Sequence, residues 1–308
     1  MAHGNGQWVG VAGLRSLWKF WRPHTFIGTT LSVLSLYALV LATADRAPTL
    51  ASAGQLLGTW LACAGGNLYI VGLNQIQDLA IDRVNKPHLP VAAGEISRQQ
   101  AQAIVAVAAG LALALAGWLG PWLLATVGGS LAIGTAYSLP PVRLKRFPFW
   151  AAVSILSVRG AIVNVGLFLH FGRTVAGSAA LPPAAIALAL FVVVFSVAIA
   201  LFKDVPDTEG DRRYGIATFT LLLGKRAIFN SACATIAACY LGIALAGLSG
   251  LPGANVPLLV GTHLGLLGLL WARSQRVNLQ DNRAIARFYQ FIWRLFFLEY
   301  AVFPAAFI

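Results

Sequence analysis

The chain has 308 residues, of which 58% are hydrophobic and only 10% are charged, whereas soluble domains carry about a quarter charged residues. The formal net charge is +12, but the basic residues are dispersed among short loops, which gives little support to a nucleic-acid-binding protein. No polar stretch is long enough for a second domain. The composition therefore predicts a polytopic membrane protein with a single membrane-embedded domain over 1–308.

Apolar stretches of spanning length, about 20 residues each, follow one another along the chain. We place nine of them, at 25–43, 53–77, 98–118, 120–138, 149–171, 181–203, 227–247, 255–272 and 288–307. The loops on one face of the predicted bundle hold most of the basic residues, whereas the opposite face shows only Arg46 and Arg173. The positive-inside rule predicts that the basic face lies in the cytoplasm.

The first of two acidic clusters follows the second span and contains Asn74, Asp78 and Asp82. Residues four apart lie on one face of a helix, so a continuous helix would stack these three side chains. Neighbouring carboxylates repel each other unless a cation lies between them. Mg²⁺ prefers oxygen ligands and bridges carboxylates to phosphate groups, so it would relieve this repulsion, although one such unit by itself favours an ordinary polar loop.

The second acidic cluster follows the sixth span and contains Asp204, Asp207 and Asp211. Pro206 and Gly210 are poor residues for a helix interior, so we expect a broken helix end or a loop here. Four spans separate the two clusters, and an even number of crossings returns the chain to the same side. Both clusters are therefore predicted on the cytoplasmic face, where they can share one site.

An alternative interpretation makes each cluster an ordinary polar loop at the membrane surface. Two Asp-x-x-x-Asp units on one face, each followed by arginine, favour binding of a metal and a diphosphate instead. Basic residues near the clusters are candidate diphosphate contacts, although positive-inside anchoring alone also explains them. These candidates are Arg83, Lys86, Arg143, Lys145, Lys203 and Arg212.

Longer motifs surround the acidic clusters. They are Lys19-Phe20-x-Arg22-Pro23-His24-Thr25, Asn74-Gln75-x-x-Asp78-x-x-x-Asp82-Arg83-x-Asn85-Lys86-Pro87, Gly134-Thr135-Ala136-Tyr137-Ser138, Pro140-Pro141-x-Arg143-Leu144-Lys145-Arg146, Val158-Arg159-Gly160, Lys203-Asp204-x-Pro206-Asp207-x-Glu209-Gly210-Asp211-Arg212 and Phe288-Tyr289-Gln290-Phe291-Ile292-Trp293. With them the chain resembles the UbiA-type intramembrane prenyltransferases, and most closely the branch that uses homogentisate. The likeness runs from about residue 18 to the C-terminus.

The resemblance implies an all-α membrane protein with nine transmembrane helices around a central cavity, roofed by cytoplasmic acidic loops. It implies Mg²⁺ as cofactor and homogentisate and a prenyl diphosphate as substrates, with membrane lipid around the protein. Phytyl diphosphate is the favoured donor, and 2-methyl-6-phytyl-1,4-benzoquinol, an intermediate of tocopherol biosynthesis, is the expected product, with loss of diphosphate and CO₂. Geranylgeranyl and solanesyl donors stay open, as does the oligomeric state. We expect the plasma or thylakoid membrane of a photosynthetic bacterium.

The resemblance also assigns roles to the residues of both clusters. Metal-binding positions map onto Asn74, Asp78, Asp82, Asp204, Asp207 and Asp211. The catalytic set is expected to be Asp78, Asp82, Asp207 and Asp211.

An aromatic acid such as homogentisate needs a cation for its carboxylate. Arg22 and His24 at the start of the first span, and Arg159 within the fifth, are the candidates. An arginine inside a membrane span usually faces a cavity or a partner. A structural contact of Arg159 with Asn164 or with a backbone carbonyl is the competing interpretation. We interpret Arg294 and Glu299, inside the last span, each as an interhelical contact or a snorkelling group.

A function of another class is transport of an anionic metabolite, with the acidic residues binding a coupling cation. Transporter sites lie near the bilayer midplane, whereas these acids cluster at span ends, which favours the enzyme. A relative with another acceptor, a chlorophyllide or 4-hydroxybenzoate, is a further alternative. The motifs around Arg143 and Tyr289 favour homogentisate over it by resemblance.

Overall fold

A computed structural model describes residues 11–203, 205 and 218–308. Within these ranges the chain is helical and contains no strand, which confirms the predicted all-α class. The helices in chain order are α1 (Val11–Phe20), α2 (Pro23–Thr43), α3 (Leu50–Gln77), α4 (Leu79–Asn85), α5 (Arg98–Leu119), α6 (Pro121–Ser138), α7 (Pro148–Ala176), α8 (Pro183–Phe202), α9 (Phe219–Leu223), α10 (Lys225–Leu248), α11 (Val256–Ser274) and α12 (Asn282–Ala305). A short 3₁₀ turn covers Leu144–Arg146.

Seven of the helices in the described ranges are long and apolar enough to cross a membrane. These are α2, α3, α5, α7, α8, α10 and α11. Helices α6 and α12 coincide with the fourth and ninth predicted spans but are not among the seven. Glycine, serine and threonine lower the mean hydropathy of α6. Helix α12 contains charged residues, among them Arg294 and Glu299. The count of nine transmembrane helices therefore stays a prediction.

The helices form two compact units. The first comprises the described residues up to Thr30 together with Leu57–Arg143, and the second comprises Leu31–Leu56 and the described residues from Leu144 onwards. Helices α2 and α3 contribute residues to both. The prediction of a single domain over 1–308 is not tested by this division.

The core of the first unit surrounds Phe20 at the end of α1. Its buried members are Phe20, Leu68, Leu73, Ile76, Val91, Ile96, Ala101, Val105 and Ala108. Gly72 allows this packing, because a Cβ atom there would lie 2.6 Å from Val105 Cγ2 and 2.8 Å from Phe20 Cζ. The Gln75 side chain donates a hydrogen bond to the Phe20 carbonyl at 2.8 Å, which fixes the end of α1 on α3.

Local signals explain where α5 and α6 begin. Ser97 and Gln100 form a reciprocal capping box at the start of α5, which satisfies two amide groups that the first turn leaves without partners. Gly120, at φ 143°, separates the two helices, and Pro121 opens α6, a position where proline loses no helical hydrogen bond.

Helix α7 of the second unit is not a regular α-helix throughout. Its segments Leu156–Ile162 and Gly172–Ala176 are wider π-helical turns, which are frequent at functional sites. The first of these turns contains Arg159. Beside it, Gly160 lies so close to α8 that an added Cβ would be 2.8 Å from Val193 Cα.

Aromatic side chains fill the core of the second unit. Phe195, Tyr240, Phe296 and Phe303 are fully or almost fully buried. Among them lies a polar pair, in which His263 Nε2 and Glu299 Oε1 are 3.2 Å apart and both side chains are inaccessible to solvent. This pair joins α11 to α12, which confirms the interhelical contact expected for Glu299.

Candidate active site

Asp78 lies at the break between α3 and α4. The regular helix stops at Gln77 and restarts at Leu79, and Asp78 takes φ −99° and ψ 10°, a sparsely populated region where many active-site residues lie. The helix under the first acidic cluster is therefore interrupted at this residue. Aspartate has a low helix propensity, so an interruption at this position costs less than at most residues. Its side chain makes no capping hydrogen bond to α4.

The spacing within the first cluster survives the break. The Asp78 amide donates to the Asn74 carbonyl at 2.9 Å, and the Asp82 amide donates to the Asp78 carbonyl at 2.7 Å. The Ser138 hydroxyl, at the end of α6, donates to Asn74 Oδ1 at 3.5 Å. Asp82 is buried, with 8% of its surface exposed. The cluster thus combines one amide and two carboxylate groups along one short stretch of chain.

Arg143, the last residue of the first unit, contributes a cation to this cluster. Its Nη2 donates to Asp78 Oδ1 at 3.1 Å, and both side chains are half-buried. The Arg143 backbone has φ 37°, a left-handed conformation that costs a non-glycine residue about 1–3 kcal/mol. The Arg143 Nε atom is buried and has no hydrogen-bond partner among the described residues. It is therefore a donor available for an acceptor ligand.

The other predicted diphosphate contacts occupy varied positions. Arg83 in α4 is exposed, and Lys86 just after α4 is half-buried. In the second unit, Lys145 lies half-buried in the 3₁₀ turn, and Lys203 lies half-buried directly after α8.

The second acidic cluster is largely outside the described residues. The residues outside the described ranges include Asp204, Asp207, Asp211 and Arg212. Within the described ranges, no three His, Cys, Asp or Glu side chains converge to hold a metal ion. The predicted metal ligands therefore stay predictions.

Arg22 and His24 lie where α1 gives way to α2. Arg22, between the helices, has φ 55°, and its carbonyl accepts a hydrogen bond from the Thr25 hydroxyl at 2.9 Å. His24 lies half-buried in the first turn of α2. The contacts described for Arg22 thus involve its main chain, and the role of either side chain stays a prediction.

Arg159 lies against aromatic rings of α12. Its guanidinium carbon is 4.6 Å from the Trp293 ring centroid and 5.7 Å from that of Phe296, within range for a cation–π interaction. The Arg159 Nη1 atom is buried and has no hydrogen-bond partner among the described residues. Asn164 donates to the Arg159 carbonyl at 2.7 Å, so this contact involves the main chain rather than the guanidinium. The guanidinium therefore keeps a donor that suits a carboxylate.

Sequence reasoning missed the partner of Lys19. Glu95 Oε1 lies 2.7 Å from Lys19 Nζ, and the Ser16 hydroxyl donates to Glu95 Oε2 at 2.6 Å. The hydrogen bonds from Lys19 and Ser16 hold the pKa of Glu95 below its ordinary value. The available signal was that Glu95 is one of the few acids outside the two clusters.

It also missed the residues around Arg159. Trp293, Phe296 and Tyr300 recur at intervals of three and four residues along α12, a spacing that places side chains on one face of a helix. The spacing of these three aromatic residues was visible in the sequence, but nothing in the sequence showed that they lie near Arg159.

Three comparisons with known proteins bear on this site. The model of the UbiA prenyltransferase family matches residues 31–295. The chain is 50% identical over 297 residues to "Homogentisate phytyltransferase" from Synechocystis sp., covering 96% of each chain. It is 41% identical over 304 residues to "Homogentisate phytyltransferase 1, chloroplastic" from Arabidopsis thaliana, covering 94% of this chain and 75% of the relative.

A solved structure supports the fold independently. The chain is similar, with a TM-score of 0.63 and 20% identity, to a UbiA homolog from Archaeoglobus fulgidus bound to GPP and Mg²⁺. The match covers 94% of this chain and 99% of that one.

Proposed function

The chain belongs to the UbiA prenyltransferase family, and on that premise we propose that it prenylates homogentisate. Phytyl diphosphate is the favoured donor, and the product is 2-methyl-6-phytyl-1,4-benzoquinol, an intermediate of tocopherol biosynthesis. The observation that carries this proposal is the 50% identity to a homogentisate phytyltransferase over nearly the whole chain. The first acidic cluster and the half-buried Arg143 beside it supply groups that such a reaction needs.

The reaction breaks one bond at the prenyl group and forms another. The bond between the prenyl C1 and the diphosphate oxygen breaks, and its electron pair leaves with the diphosphate. The homogentisate ring forms the new carbon–carbon bond and loses a ring proton. The carboxylate leaves as CO₂, and the side-chain carbon takes up a proton to become a methyl group.

The donors of the first cluster fit Mg²⁺. Carboxylate and amide oxygens are its preferred protein ligands, and the Asp78 carboxylate lies at the chain break, where it is not used to cap α4. In this proposal Asn74, Asp78 and Asp82 hold the metal together with Asp204, Asp207 and Asp211. Bound Mg²⁺ would neutralise the charge that develops on the leaving diphosphate.

Basic residues of the chain hold the diphosphate directly. Arg143 is the best supported, because its Nε is a buried donor without a partner among the described residues and arginine suits bidentate binding of phosphate. Arg83, Lys86, Lys145, Lys203 and Arg212 are proposed to add charge. Burial of the Nε atom would strengthen a hydrogen bond from it to the diphosphate, because the local dielectric constant is lower there than in water.

Arg159 is proposed to bind the carboxylate of homogentisate. Its guanidinium is held beside the Trp293 ring, and Nη1 still has a hydrogen to donate. A charge-assisted hydrogen bond to a carboxylate would use that donor. Arg22 and His24 are alternative partners for the same carboxylate.

A panel of donors tests the proposed function. Purified protein in detergent is incubated with homogentisate, Mg²⁺ and phytyl, geranylgeranyl or solanesyl diphosphate, and products are identified by mass. We expect decarboxylated phytyl product to form fastest, and to disappear when EDTA removes the metal. A faster reaction with another diphosphate would change the proposed prenyl donor. A faster reaction with 4-hydroxybenzoate would change the proposed aromatic acceptor. Uptake of the anion into vesicles without any product would favour a transporter.

The orientation of the loops is proposed from charge alone. Because the cytoplasmic face of a membrane protein is enriched in Lys and Arg, the loops of both acidic clusters should face the cytoplasm, in the plasma or thylakoid membrane. A cysteine introduced at Arg83 should then react with an impermeant thiol reagent only in inside-out vesicles. A cysteine at Arg46 should react only in right-side-out vesicles, and the reverse pattern would contradict the proposed topology.

A further inference from the structure

The wide turn of α7 leaves carbonyl groups that a side chain satisfies. A π-helical turn replaces the regular i to i+4 hydrogen bonds, and here the Asn164 side-chain amide donates to two carbonyls within the turn. Its Nδ2 lies 2.7 Å from the Arg159 oxygen and 3.0 Å from the Gly160 oxygen. Asn164 therefore fixes the backbone of the residue that carries the candidate carboxylate-binding guanidinium.

A second helix fixes the orientation of Asn164. The Tyr300 hydroxyl of α12 donates to Asn164 Oδ1 at 3.2 Å. Asn164 is 1% exposed and Tyr300 is 4% exposed, so water does not compete for these bonds. The Asn164 amide thus donates through its nitrogen to two carbonyls and accepts through its oxygen from Tyr300. The chain of contacts runs from Tyr300 through Asn164 to the main chain of Arg159.

The same face of α12 also receives the Arg159 side chain. Phe296 lies one turn and Trp293 two turns before Tyr300 on that helix, and both rings lie within cation–π range of the guanidinium. Gly160 packs so closely against Val193 of α8 that a Cβ there would lie 2.8 Å from Val193 Cα, which leaves the backbone little room to shift towards α8. The guanidinium is thus held from α12 by two rings, while its backbone is held by Asn164 and by α8.

We propose that Asn164 and Tyr300 are positioning residues that orient Arg159 towards the carboxylate of the aromatic acceptor. This inference rests on the proposed function, in which Arg159 binds that carboxylate. Neither Asn164 nor Tyr300 touches the acceptor in this proposal. Their loss therefore weakens binding of the acid and leaves binding of the prenyl diphosphate unchanged.

Tyr300→Phe is the variant that tests the proposal with the least disturbance, because it removes one hydroxyl group and keeps the ring. Tyr240→Phe is the matched control, since Tyr240 is also fully buried and its hydroxyl has no hydrogen-bond partner among the described residues. Loss of one hydrogen bond predicts a homogentisate KM raised about threefold to tenfold in Tyr300→Phe. We expect the KM of the diphosphate to stay constant and Tyr240→Phe to leave both KM values unchanged.

Asn164→Asp gives a second, stronger change, because an ionised carboxylate cannot donate to the two carbonyls. A general loss of folding in Asn164→Asp leaves Tyr300→Phe as the deciding variant. An equal rise of both KM values in Tyr300→Phe, or a change no larger than in Tyr240→Phe, overturns the proposal.

Chemical modification separates this inference from the proposed function. Phenylglyoxal reacts with arginine, and the extent of modification at Arg159 is read from peptide masses. If Tyr300 positions Arg159, the rate at Arg159 changes in Tyr300→Phe and not in Tyr240→Phe, whether or not the protein turns over. An unchanged rate overturns the positioning role. Failure of homogentisate to protect Arg159 in the wild-type protein, with a changed rate in Tyr300→Phe, overturns only the carboxylate-binding role.

Discussion

Arg143 Nη2 donates a hydrogen bond to Asp78 Oδ1 at 3.1 Å, across 65 positions of sequence. The sequence assigned these residues to different ligands, Asp78 to the metal and Arg143 to the diphosphate. The contact shows that one can neutralise the other before either ligand is bound. In the proposed function, Asp78 would hold Mg²⁺, whose charge would stabilise the leaving diphosphate, and Arg143 would bind the diphosphate through Nε, which has no partner among the described residues.

Arg143→Gln is expected to lower kcat/KM for the prenyl diphosphate. A hydrogen bond to a charged group contributes about 1.5–3 kcal/mol, so kcat/KM for phytyl diphosphate should fall about tenfold to 100-fold. The KM of homogentisate should change little. Arg98→Gln, an exposed arginine at the start of α5 in the same unit, is the control. Equal kinetics in the two variants would remove Arg143 from the diphosphate site.

Asp78→Asn is expected to abolish turnover while the protein still inserts into the membrane. Loss of a metal ligand removes several kcal/mol of charge stabilisation, so kcat should fall about 100-fold or more. Asp207→Asn should behave in the same way. Asp45→Asn is the control, because Asp45 is an exposed acid after α2 and its positive φ of 49° suits asparagine equally well. Near wild-type activity of Asp78→Asn at saturating Mg²⁺ would contradict its role.

Arg159→Gln is expected to raise the KM of homogentisate more than the KM of the prenyl diphosphate. Without the cation, the KM of homogentisate should rise about tenfold or more, and the KM of the diphosphate should stay within error. Steady-state kinetics with each substrate varied in turn give both values. Arg173→Gln provides the control at the far end of α7, where the arginine is exposed and donates to the Gly177 carbonyl. A parallel rise of both constants would indicate a structural role for Arg159.

Gly160→Ala is expected to destabilise the protein. The new methyl group would lie 2.5 Å from Val193 Cγ2 and 2.8 Å from Val193 Cα, and the backbone atom cannot rotate away. Overpacking of this kind costs about 1–3 kcal/mol, which a thermal unfolding assay in detergent would detect as a lower Tm. Gly242→Ala, in open space on α10, should keep or slightly raise the Tm. A similar Tm for both variants would show that α7 and α8 can separate at this point.

The contact between Glu95 and Lys19 predicts a dependence of stability on pH. Because the pKa of Glu95 is lowered in the folded protein, the contribution of this group is present above the pKa of an unfolded glutamate, about 4.3. It is lost as the pH falls through the lower folded value. Glu95→Gln should therefore have a lower Tm than the wild type at pH 7. The difference should be smaller at high salt, since both side chains are partly exposed, and should vanish in strong acid. A difference that persists in acid would assign it to packing instead.

The positions of the long helices could be read from the sequence, because hydropathy is a local pattern, whereas the metal ligands stay a prediction. Apolar stretches of spanning length located each long helix, and the spacing of Asn74, Asp78 and Asp82 identified an oxygen-rich site. The break at Asp78 could not be predicted from that spacing, since four-residue intervals fit a continuous helix as well. Which of several nearby cations contacts Asp78 was equally open.

Contacts between distant residues account for what the sequence left undecided. The hydrogen bond from Tyr300 to Asn164 joins residues 136 positions apart, and no motif in either segment refers to the other. Glu95 was overlooked for the same reason, because its partners Ser16 and Lys19 precede it by more than 70 positions.

The sequence by itself determined the class of the protein, the family and the residue types that can hold a metal and a diphosphate, because hydropathy and motif spacing are properties of short segments. Only the tertiary structure decided which side chains are in contact. Arg143 donates a hydrogen bond to Asp78, and Tyr300 donates one to Asn164, which in turn binds the Arg159 carbonyl. A buried polar group must find its partner wherever the packing of the helices places one, and that packing is set by the whole chain rather than by any one segment.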